Sequence, residues 1–500
     1  MQGQLAVTAL YSPDPTMSKT TRRHFLEQSL LAASASAAAC CLNPEAEAAP
    51  APRRRVGPNE TIQTAVIGCG GRGLGSHVQE YLGQSSVVIT AVCDVDASRN
   101  KSAVDRIENA TGQAPRFEQD MRRILDDKSI DVVSIATTNH WHSLAAIWAM
   151  QAGKHVYVEK PLSHNVFEGH KAVEAARKYN RVCQVGTQIR SNPGVVDAMR
   201  YLHDGRIGKV FLARGLCYKP RGSIGKVERE QPVPPGVDYD LWSGPAPIKP
   251  ILRKNFHYDW HWFWDYGSGD LGNQGVHQID VARWGLGKGS LAPTVLSLGG
   301  RFGYVDDGQT PNTQLVFHDY GDCQLIFEVR GLKTDRYLGA GVGIIFYGTE
   351  GTMVVDSYTH AAVFDKSQKL VTQFKGGNDT LHFANFLAAV SEGKPLNADV
   401  LEGHLSAALC HLGNVSYLLG KPAPFHQKTG TFGDNKAAIE TFARFEKHLA
   451  ENGITLSDTN YTLGRRLTVD PQSETIMGDK EAAARLTREY RKPYVVPEEV

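Results

Sequence analysis

The sequence lacks several features that mark specialised classes of protein. Its 54 basic and 53 acidic residues leave a net charge of +1, so no charge excess favours binding to nucleic acid. Cysteine is scarce, with 8 in 500 residues, and the six cysteines beyond residue 50 show no paired spacing. We therefore expect buried thiols rather than a disulfide framework, and no metal site.

A long apolar run is also missing from the N-terminal region. Residues 30–42 are only modestly apolar and too short to span a bilayer, but they follow the twin arginines Arg22 and Arg23. We interpret residues 1–48 as a twin-arginine signal peptide and 49–59 as a linker. This predicts periplasmic export of a folded protein by the twin-arginine machinery. A basic tail is the alternative, membrane anchoring is disfavoured, and both Met1 and Met17 are candidate starts.

What the sequence does contain is a glycine-rich turn between a strand and a helix. Apolar residues 64–67 precede glycines with G-x-G-x-x-G spacing, and apolar residues then recur at helical spacing. Such glycines permit a tight turn, close approach of a pyrophosphate, and packing of helix on strand, while helix N–H groups face the phosphates. The turn therefore predicts dinucleotide binding. Its predicted contacts are Gly68, Gly70, Gly71, Arg72 and Gly73.

A second apolar strand, residues 87–93, ends in an acidic residue. Asp94 follows Gly68 by 26 positions, near the roughly 20 typical of the acid that binds the adenosine ribose. A carboxylate accepts hydrogen bonds from the ribose 2′-hydroxyl and repels a 2′-phosphate. The sequence thus favours NAD over NADP, with a solvated loop aspartate as the alternative.

Strands and helices continue to alternate through residues 60–186. This pattern predicts an α/β fold with a doubly wound parallel sheet of the Rossmann type. Residues 187–466 instead contain short alternating strands and several helices, which predicts an α+β domain with an open, mostly antiparallel sheet for substrate binding and oligomerisation. Residues 467–500 are interpreted as a tail with one helix, docked by Tyr494.

The first domain resembles the Gfo/Idh/MocA family, named for glucose–fructose oxidoreductase and inositol dehydrogenase. The resemblance lies in the GCGGRG turn, Asp94, a T-x-N-x-x-H stretch and Glu159-Lys160-Pro161. It implies that Lys160 lies beside the reacting carbon and that Pro161 follows a cis peptide bond. A surface lysine is the alternative. The remaining predicted cofactor contacts are Thr137, Asn139, His142, Glu159 and Gln188.

In the second domain, Asn273, His277 and Asp280 have the spacing of one helix face. The family carries an acid four residues before the histidine, whereas this chain has Asn273. Because an amide cannot take a proton, we expect Asn273 to orient the substrate and His277 to act as the general base. Asp280 then either orients His277 or pairs with Arg283. A packed helix with an incidental histidine is the alternative.

Aromatic residues are concentrated at residues 256–264. They predict a wall that stacks on a sugar, in which His257 and Trp264 would contact substrate, or else hydrophobic packing beneath a long loop. His257 and His261 have a zinc-like spacing, but no third ligand is evident, so a metal is not expected here. We also considered whether His382 reaches the cleft.

Together these features predict an exported oxidoreductase that moves hydride between a sugar or polyol carbon and NAD. Since free NAD is scarce outside the cytoplasm, we expect the cofactor to be held tightly. The alternatives are a redox-assisted glycoside hydrolase and a non-catalytic sugar or nucleotide sensor. The partners expected are a small sugar or polyol and further copies of the chain, as a homodimer or homotetramer.

Overall fold

The computed structural model of the chain describes residues 61–425 and 430–500, so the predicted signal peptide and linker lie outside the described residues. Its strands are β1 (Ile62–Ile67), β2 (Val87–Cys93), β3 (Arg116–Glu118), β4 (Val132–Ile135), β5 (His155–Val158), β6 (Cys183–Val185), β7 (Val210–Tyr218), β8 (Thr294–Gly300), β9 (Thr313–Asp319), β10 (Gln324–Arg330), β11 (Val342–Gly348), β12 (Gly351–Val355), β13 (His360–Asp365), β14 (Leu370–Lys375), β15 (Lys421–Pro424), β16 (Asn460–Leu463), β17 (Leu467–Asp470) and β18 (Thr475–Ile476).

Its helices are α1 (Gln79–Leu82), α2 (Ala97–Thr111), α3 (Met121–Leu125), α4 (His142–Gln151), α5 (Val166–Lys178), α6 (Pro193–His203), α7 (Tyr239–Ser243), α8 (Gly269–Asn273), α9 (Gly275–Gly285), α10 (Thr380–Glu392), α11 (Val400–Leu418), α12 (Lys436–Glu451) and α13 (Lys480–Ala484). A π-helical turn, Gly73–Val78, leads into α1. Among the described residues, no helix is both long and apolar enough to cross a membrane.

The first domain is built on a six-stranded parallel sheet, and the predicted doubly wound fold is confirmed. The strand order is β3-β2-β1-β4-β5-β6. Every residue of β4 and β5 is buried, as expected where helices cover both faces of a parallel sheet. Because the strands all run the same way, their carboxyl ends meet along one edge, where ligands bind in such folds.

The second domain contains a twelve-stranded sheet, in the order β14-β13-β12-β11-β7-β10-β9-β8-β16-β15 with β17 and β18 attached. Strands β7 and β10 pair in parallel, and the other pairs in this sheet are antiparallel, which confirms the mostly antiparallel prediction. Helix α9 packs on one face of the sheet, against Phe327 and Phe346. On the other face Arg214 and Glu328 meet Arg444 of α12, which covers part of the sheet.

Two expectations about this domain were wrong. The helix expected to carry Asn273 and His277 on one face is interrupted, since α8 ends at Asn273 and α9 begins at Gly275. At Gly275 a Cβ would lie 2.8 Å from the Phe327 ring, so the second helix starts where the backbone presses against the sheet. The tail is also more than a docked helix, because β17 pairs with β8 and extends the sheet.

Candidate active site

A cavity of about 380 Å³ lies at the carboxyl ends of the parallel strands, beneath the loop formed by residues 236–264. Most of the predicted site residues line it. They are Gly68, Gly70, Gly71, Arg72, Asp94, Thr137, Asn139, His142, Glu159, Lys160, His257 and Asn273. The structure therefore brings together, in one crevice, residues that lie more than 200 positions apart in the sequence.

The glycine turn has the shape that a dinucleotide requires. Gly68 has a φ of +91°, and a Cβ there would lie 2.5 Å from the carbonyl oxygen of Ala136. A Cβ on Gly73 would lie 1.7 Å from the carbonyl oxygen of Gly68, so this glycine lets the helix pack on the strand. By contrast, no atom lies within 4 Å of a Cβ built on Gly71, which faces open space in the crevice. The residues present thus fit a pyrophosphate at this turn.

Asp94 is fixed at the crevice by the backbone. Its carboxylate accepts hydrogen bonds from the N–H of Cys69 at 2.7 Å and from the N–H of Asp96 at 2.9 Å. Burial raises the pKa of Asp94, although these two amides act in the opposite direction. Each carboxylate oxygen keeps a further lone pair, so Asp94 has acceptor capacity for the hydroxyls of a ribose.

The loop from the second domain crosses the same end of the crevice. The N–H of Asp238 donates to the carbonyl of Val95 at 2.9 Å, and the N–H of Ala97 donates to that of Gly236 at 3.1 Å. His257 Nε2 lies 3.2 Å from the Asp96 carboxylate. His257, which we expected near the substrate, therefore contacts Asp96, two positions after the predicted ribose ligand Asp94. We call residues 236–257 the strap.

Glu159 connects the glycine turn to the centre of the crevice. Its Oε1 accepts hydrogen bonds from Arg72 Nε at 2.7 Å and Gln188 Nε2 at 3.2 Å, and it lies 3.2 Å from His77 Nε2. Burial alone would raise the pKa of Glu159, but Arg72 and His77 outweigh it and hold the pKa well below its usual value. Gln188 does not line the cavity and acts behind Glu159.

Lys160 projects toward the second domain. Its Nζ donates to the backbone carbonyl of Asn273 at 2.8 Å and lies 3.5 Å from the side-chain Oδ1 of Asn273. Burial lowers the pKa of Lys160, and the neighbouring Glu159 carboxylate opposes that shift. The peptide bond between Lys160 and Pro161 is cis, as the resemblance implied. His142, beside it, contacts the carbonyls of Thr137 and Pro161 at 3.0 and 2.7 Å.

His277 does not line the cavity, but it lies near enough to Lys160 for the ammonium charge to act on it. Burial holds its pKa well below the usual value, and the Lys160 ammonium lowers it further, so the imidazole is neutral at pH 7. Its ring centre lies 5.1 Å from that of Tyr358, and its Nδ1 is buried without a protein hydrogen bond. The neutral imidazole has a lone pair that can accept a proton, while burial and the ammonium charge make it a weaker base than a free imidazole.

Three further candidates, like Gly73, Gln188 and His277, lie outside the cavity lining. Asp280 accepts hydrogen bonds from Arg190 and Ser406, both at 2.7 Å, and lies 3.8 Å from Arg283, so it belongs to a buried ion-pair network. Trp264 has its ring 6.5 Å from Tyr417. His382 contacts Ser191 Oγ and the carbonyl of Val185, which fixes it within the fold.

Sequence reasoning missed part of the aromatic wall. Tyr258, Trp260 and His261 were anticipated within residues 256–264 and do line the cavity, with the His261 ring stacked 3.6 Å from Trp260. Trp141 and Trp242 were not anticipated. The position of Trp141 inside the T-x-N-x-x-H stretch was an available signal, whereas Trp242 enters through the strap, whose path the sequence does not reveal.

Family comparisons agree with both halves of this architecture. Residues 62–187 match the Gfo/Idh/MocA oxidoreductase family description for the NAD-binding Rossmann fold. Residues 210–447 match the description for the C-terminal alpha/beta domain of the same family.

Individual relatives match over about a third of the chain. A levoglucosan dehydrogenase of Pseudarthrobacter phenanthrenivorans is 34% identical over 36% of this chain and 38% of its own length. A glycosyl hydrolase family 109 protein of Saccharopolyspora erythraea is 32% identical over 31% of this chain and 35% of its own length. An inositol 2-dehydrogenase of Salmonella typhimurium is 29% identical over 32% of this chain and 46% of its own length. The chain thus spans less than half the length of these curated relatives.

Solved structures share the fold over more of the chain. Levoglucosan dehydrogenase in complex with NADH and levoglucosan superposes with a TM-score of 0.55 at 21% identity, over 70% of this chain and 95% of that one. The putative oxidoreductase yvaA of Bacillus subtilis superposes with a TM-score of 0.54 at 14% identity, over 72% of this chain and 97% of that one. At these identities the likeness shows the fold.

Proposed function

Because the chain belongs to the Gfo/Idh/MocA oxidoreductase family, we propose that it moves hydride between NAD and a carbinol carbon of a sugar or polyol. The observation that carries the proposal is the contact between Lys160 and Asn273, with His277 close by, in a crevice whose other end holds the glycine turn and Asp94. The named activities of the levoglucosan and inositol dehydrogenases support the substrate class.

Lys160 and Asn273 hold the substrate oxygen in this proposal. Two of the lysine's donor directions are directed at Asn273, at 2.8 and 3.5 Å, which leaves the third for a substrate hydroxyl. Asn273 cannot exchange a proton, so it orients the lysine and the substrate by hydrogen bonds. Nicotinamide, when bound, supplies the hydride chemistry, and the protein supplies position and a dry environment.

His277 takes the hydroxyl proton in the direction of oxidation. Its pKa lies well below the usual value because the ring is buried and lies near Lys160, so the neutral form is present at pH 7. In the direction of reduction the same residue returns the proton to the substrate oxygen. The acid and base steps therefore fall to one imidazole, without the carboxylate that the family carries at the position of Asn273.

The strap supports tight retention of the cofactor. Its backbone hydrogen bonds to Val95 and Ala97, and the contact between His257 and Asp96, cross the end of the crevice that would hold the adenosine. The test is mass spectrometry of small molecules released on denaturing the native protein, followed by absorbance at 340 nm with a panel of sugars and polyols. Recovery of NAD and a substrate-dependent change are expected. Failure of both would refute the proposal.

A redox-assisted glycoside hydrolase is the second candidate, favoured by the similarity to family 109 glycosyl hydrolases. In that reaction a sugar carbon is oxidised, the glycosidic bond is lost by elimination, water adds, and the carbon is reduced again. The two candidates differ in their products. A dehydrogenase yields an oxidised sugar, whereas the hydrolase releases a free sugar with no net change in NADH.

We also propose that the protein is exported through the twin-arginine pathway, on the basis of Arg22-Arg23 and the apolar residues 30–42. Export after folding would allow the cofactor to travel with the protein. The test is to replace both arginines with lysine and compare cell fractions. Wild-type protein in the periplasm and the variant retained in the cytoplasm are expected, and equal distributions would exclude this route.

A further inference from the structure

A second group of polar side chains lies away from the crevice. His170 of α5, His404 of α11 and Glu474, in the turn between β17 and β18, place one ligand atom each within 4.8 Å of the others. Glu474 Oε2 lies 2.9 Å from His170 Nδ1 and 2.7 Å from His404 Nε2. No sequence spacing pointed to this cluster, since 304 and 70 positions separate the bonded pairs.

We propose that these three side chains bind a divalent transition metal, with zinc as the ion that best fits the donor set. Two imidazole nitrogens and one carboxylate oxygen are ligands that zinc accepts readily. His170 is half exposed, so a water molecule can fill the fourth position of a tetrahedral site. None of the three residues lines the active-site crevice, and the proposal is independent of the proposed function.

A neighbouring carboxylate supports the ligand role of His170. Glu174, one helical turn further along α5, has its Oε1 3.1 Å from His170 Nε2. A carboxylate on the outer nitrogen places the proton there and leaves the lone pair of Nδ1 for a metal. Histidine ligands of metal ions are usually held in this way by a second hydrogen-bonding partner.

The backbone is also shaped to the cluster. Glu474 is a non-glycine residue with a φ of +55°, a conformation that costs free energy and tends to be retained at ligand sites. Gly169 allows His404 to approach, because a Cβ there would lie 2.4 Å from His404 Nδ1. The first domain, the sheet domain and the C-terminal tail each contribute one ligand. A bound metal would therefore tie the tail to both domains.

The two contacts to Glu474 lie within about half an ångström of the spacing in a zinc site. Zinc bonds of about 2.1 Å in tetrahedral geometry place ligand atoms about 3.4 Å apart. The carboxylate would move by roughly half an ångström from each imidazole, which rotation of the exposed His170 ring and of Glu474 can supply. The competing interpretation is a metal-free cluster in which both histidines donate to one carboxylate oxygen.

The test is zinc binding by the full-length, untagged protein after removal of metals with a chelator and exchange into chelator-free buffer. Competition with a chromophoric chelator gives the stoichiometry and affinity, and absorption spectra after Co²⁺ substitution report the ligand geometry. We expect one tight site per chain, a tetrahedral cobalt spectrum, and a rise in Tm when zinc is added.

Variants distinguish this site from adventitious binding. His170→Ala and Glu474→Gln should each remove the tight zinc site. Glu174→Gln should lower the affinity for zinc about tenfold to a hundredfold. His360→Ala is the matched control, because His360 also contacts a carboxylate, that of Asp356, at 2.7 Å. Circular dichroism of the metal-free proteins checks that each variant folds. Absence of stoichiometric zinc, or equal affinity in His170→Ala and wild type, would overturn the proposal.

Discussion

The two ends of the crevice are assembled in different ways. The nucleotide end uses residues close together in sequence, since the glycine turn and Asp94 lie within one β-strand–helix–β-strand unit. The chemical end combines Lys160 from the first domain with Asn273 and His277 from the second. The glycine turn and Asp94 are thus encoded locally and the second domain adds only the strap at this end, whereas the chemical end depends entirely on how the two domains meet.

The electrostatics of the two ends differ as well. At the nucleotide end, backbone amides donate to the half-buried Asp94 carboxylate and oppose the rise in its pKa. At the chemical end, burial dominates and lowers the pKa of both Lys160 and His277. The first end is suited to binding, and the second is suited to moving a proton. Variants that affect only one end can test this division.

Replacement of Lys160 should have the largest effect. Lys160→Met keeps an unbranched stem of four heavy atoms but removes the ammonium that contacts Asn273 and, in our proposal, the substrate oxygen. We expect kcat/KM to fall by about a thousandfold, as for loss of a donor that stabilises charge on the substrate oxygen. NAD retention should not change, since the lysine lies away from the glycine turn. Steady-state kinetics and the NAD content of the purified variant are the measurements.

Lys394→Met is the control, because Lys394 is an exposed lysine that pairs with Glu392. Loss of bound NAD from Lys160→Met would show that the two ends are not separable. Near-normal turnover in this variant would remove Lys160 from the mechanism altogether.

Replacement of His277 should have the next largest effect. His277→Gln removes the proposed base while keeping a polar side chain, and we expect kcat to fall by about a hundredfold. The pH profile of the wild-type enzyme should also reflect the lowered pKa of His277. Since the folded pKa lies well below 6.5, the neutral imidazole persists as the pH falls through 6.5, and activity should decline only at lower pH.

This second prediction is checked by the pH dependence of kcat/KM for oxidation, measured alongside Tm so that unfolding in acid is not mistaken for protonation. An acidic limb centred near 6.5 would contradict the assignment, because it would indicate an imidazole with an ordinary pKa. A profile unchanged in His277→Gln would show that another group accepts the proton.

The contrast between the two ends also explains what the sequence could predict. The strands of the first domain, the glycine turn and Asp94 follow from apolar runs and glycine spacing that are visible within a few tens of residues. The meeting of Lys160 with the helix region at Asn273 was anticipated only through the family resemblance. No local pattern encodes a contact across 113 positions.

The features that the sequence did not predict fall at long-range contacts. The break before Gly275 lies where the backbone passes close to the ring of Phe327, on a strand 52 positions later in the sequence. Asp280 pairs with Arg283 at 3.8 Å, as one of the two expectations had it, and also with Arg190 at 2.7 Å, which no local spacing indicates. His257 lines the cavity as expected, and the path of the strap also brings it to Asp96, a contact that the sequence does not reveal. In each case, tertiary packing decided what periodicity could not.

Replacement of Asp94 should weaken the nucleotide end alone. Asp94→Asn keeps the size of the side chain but removes the charge, and one of the two backbone amides would then face an amide NH₂ group. We expect the Kd for NAD to rise about tenfold, the effect of losing one hydrogen bond to a charged group. Calorimetry on the NAD-free protein measures it, with the exposed Asp105→Asn as control. An unchanged Kd would argue against ribose binding by Asp94.

The smallest effect is expected at the strap, where the second domain reaches over the nucleotide end. Burial lowers the pKa of His257, with a further contribution from Arg99, so at pH 7 its contact with Asp96 is a hydrogen bond more than an ion pair. His257→Ala should therefore speed NAD release by only about threefold to fivefold, corresponding to roughly 1 kcal/mol at a partly exposed site. Stopped-flow displacement of bound NADH, followed by its fluorescence, measures this rate, and His360→Ala provides the matched control. A change in kcat with no change in release would place His257 at the chemical end after all, and the boundary between the two ends would have to be redrawn.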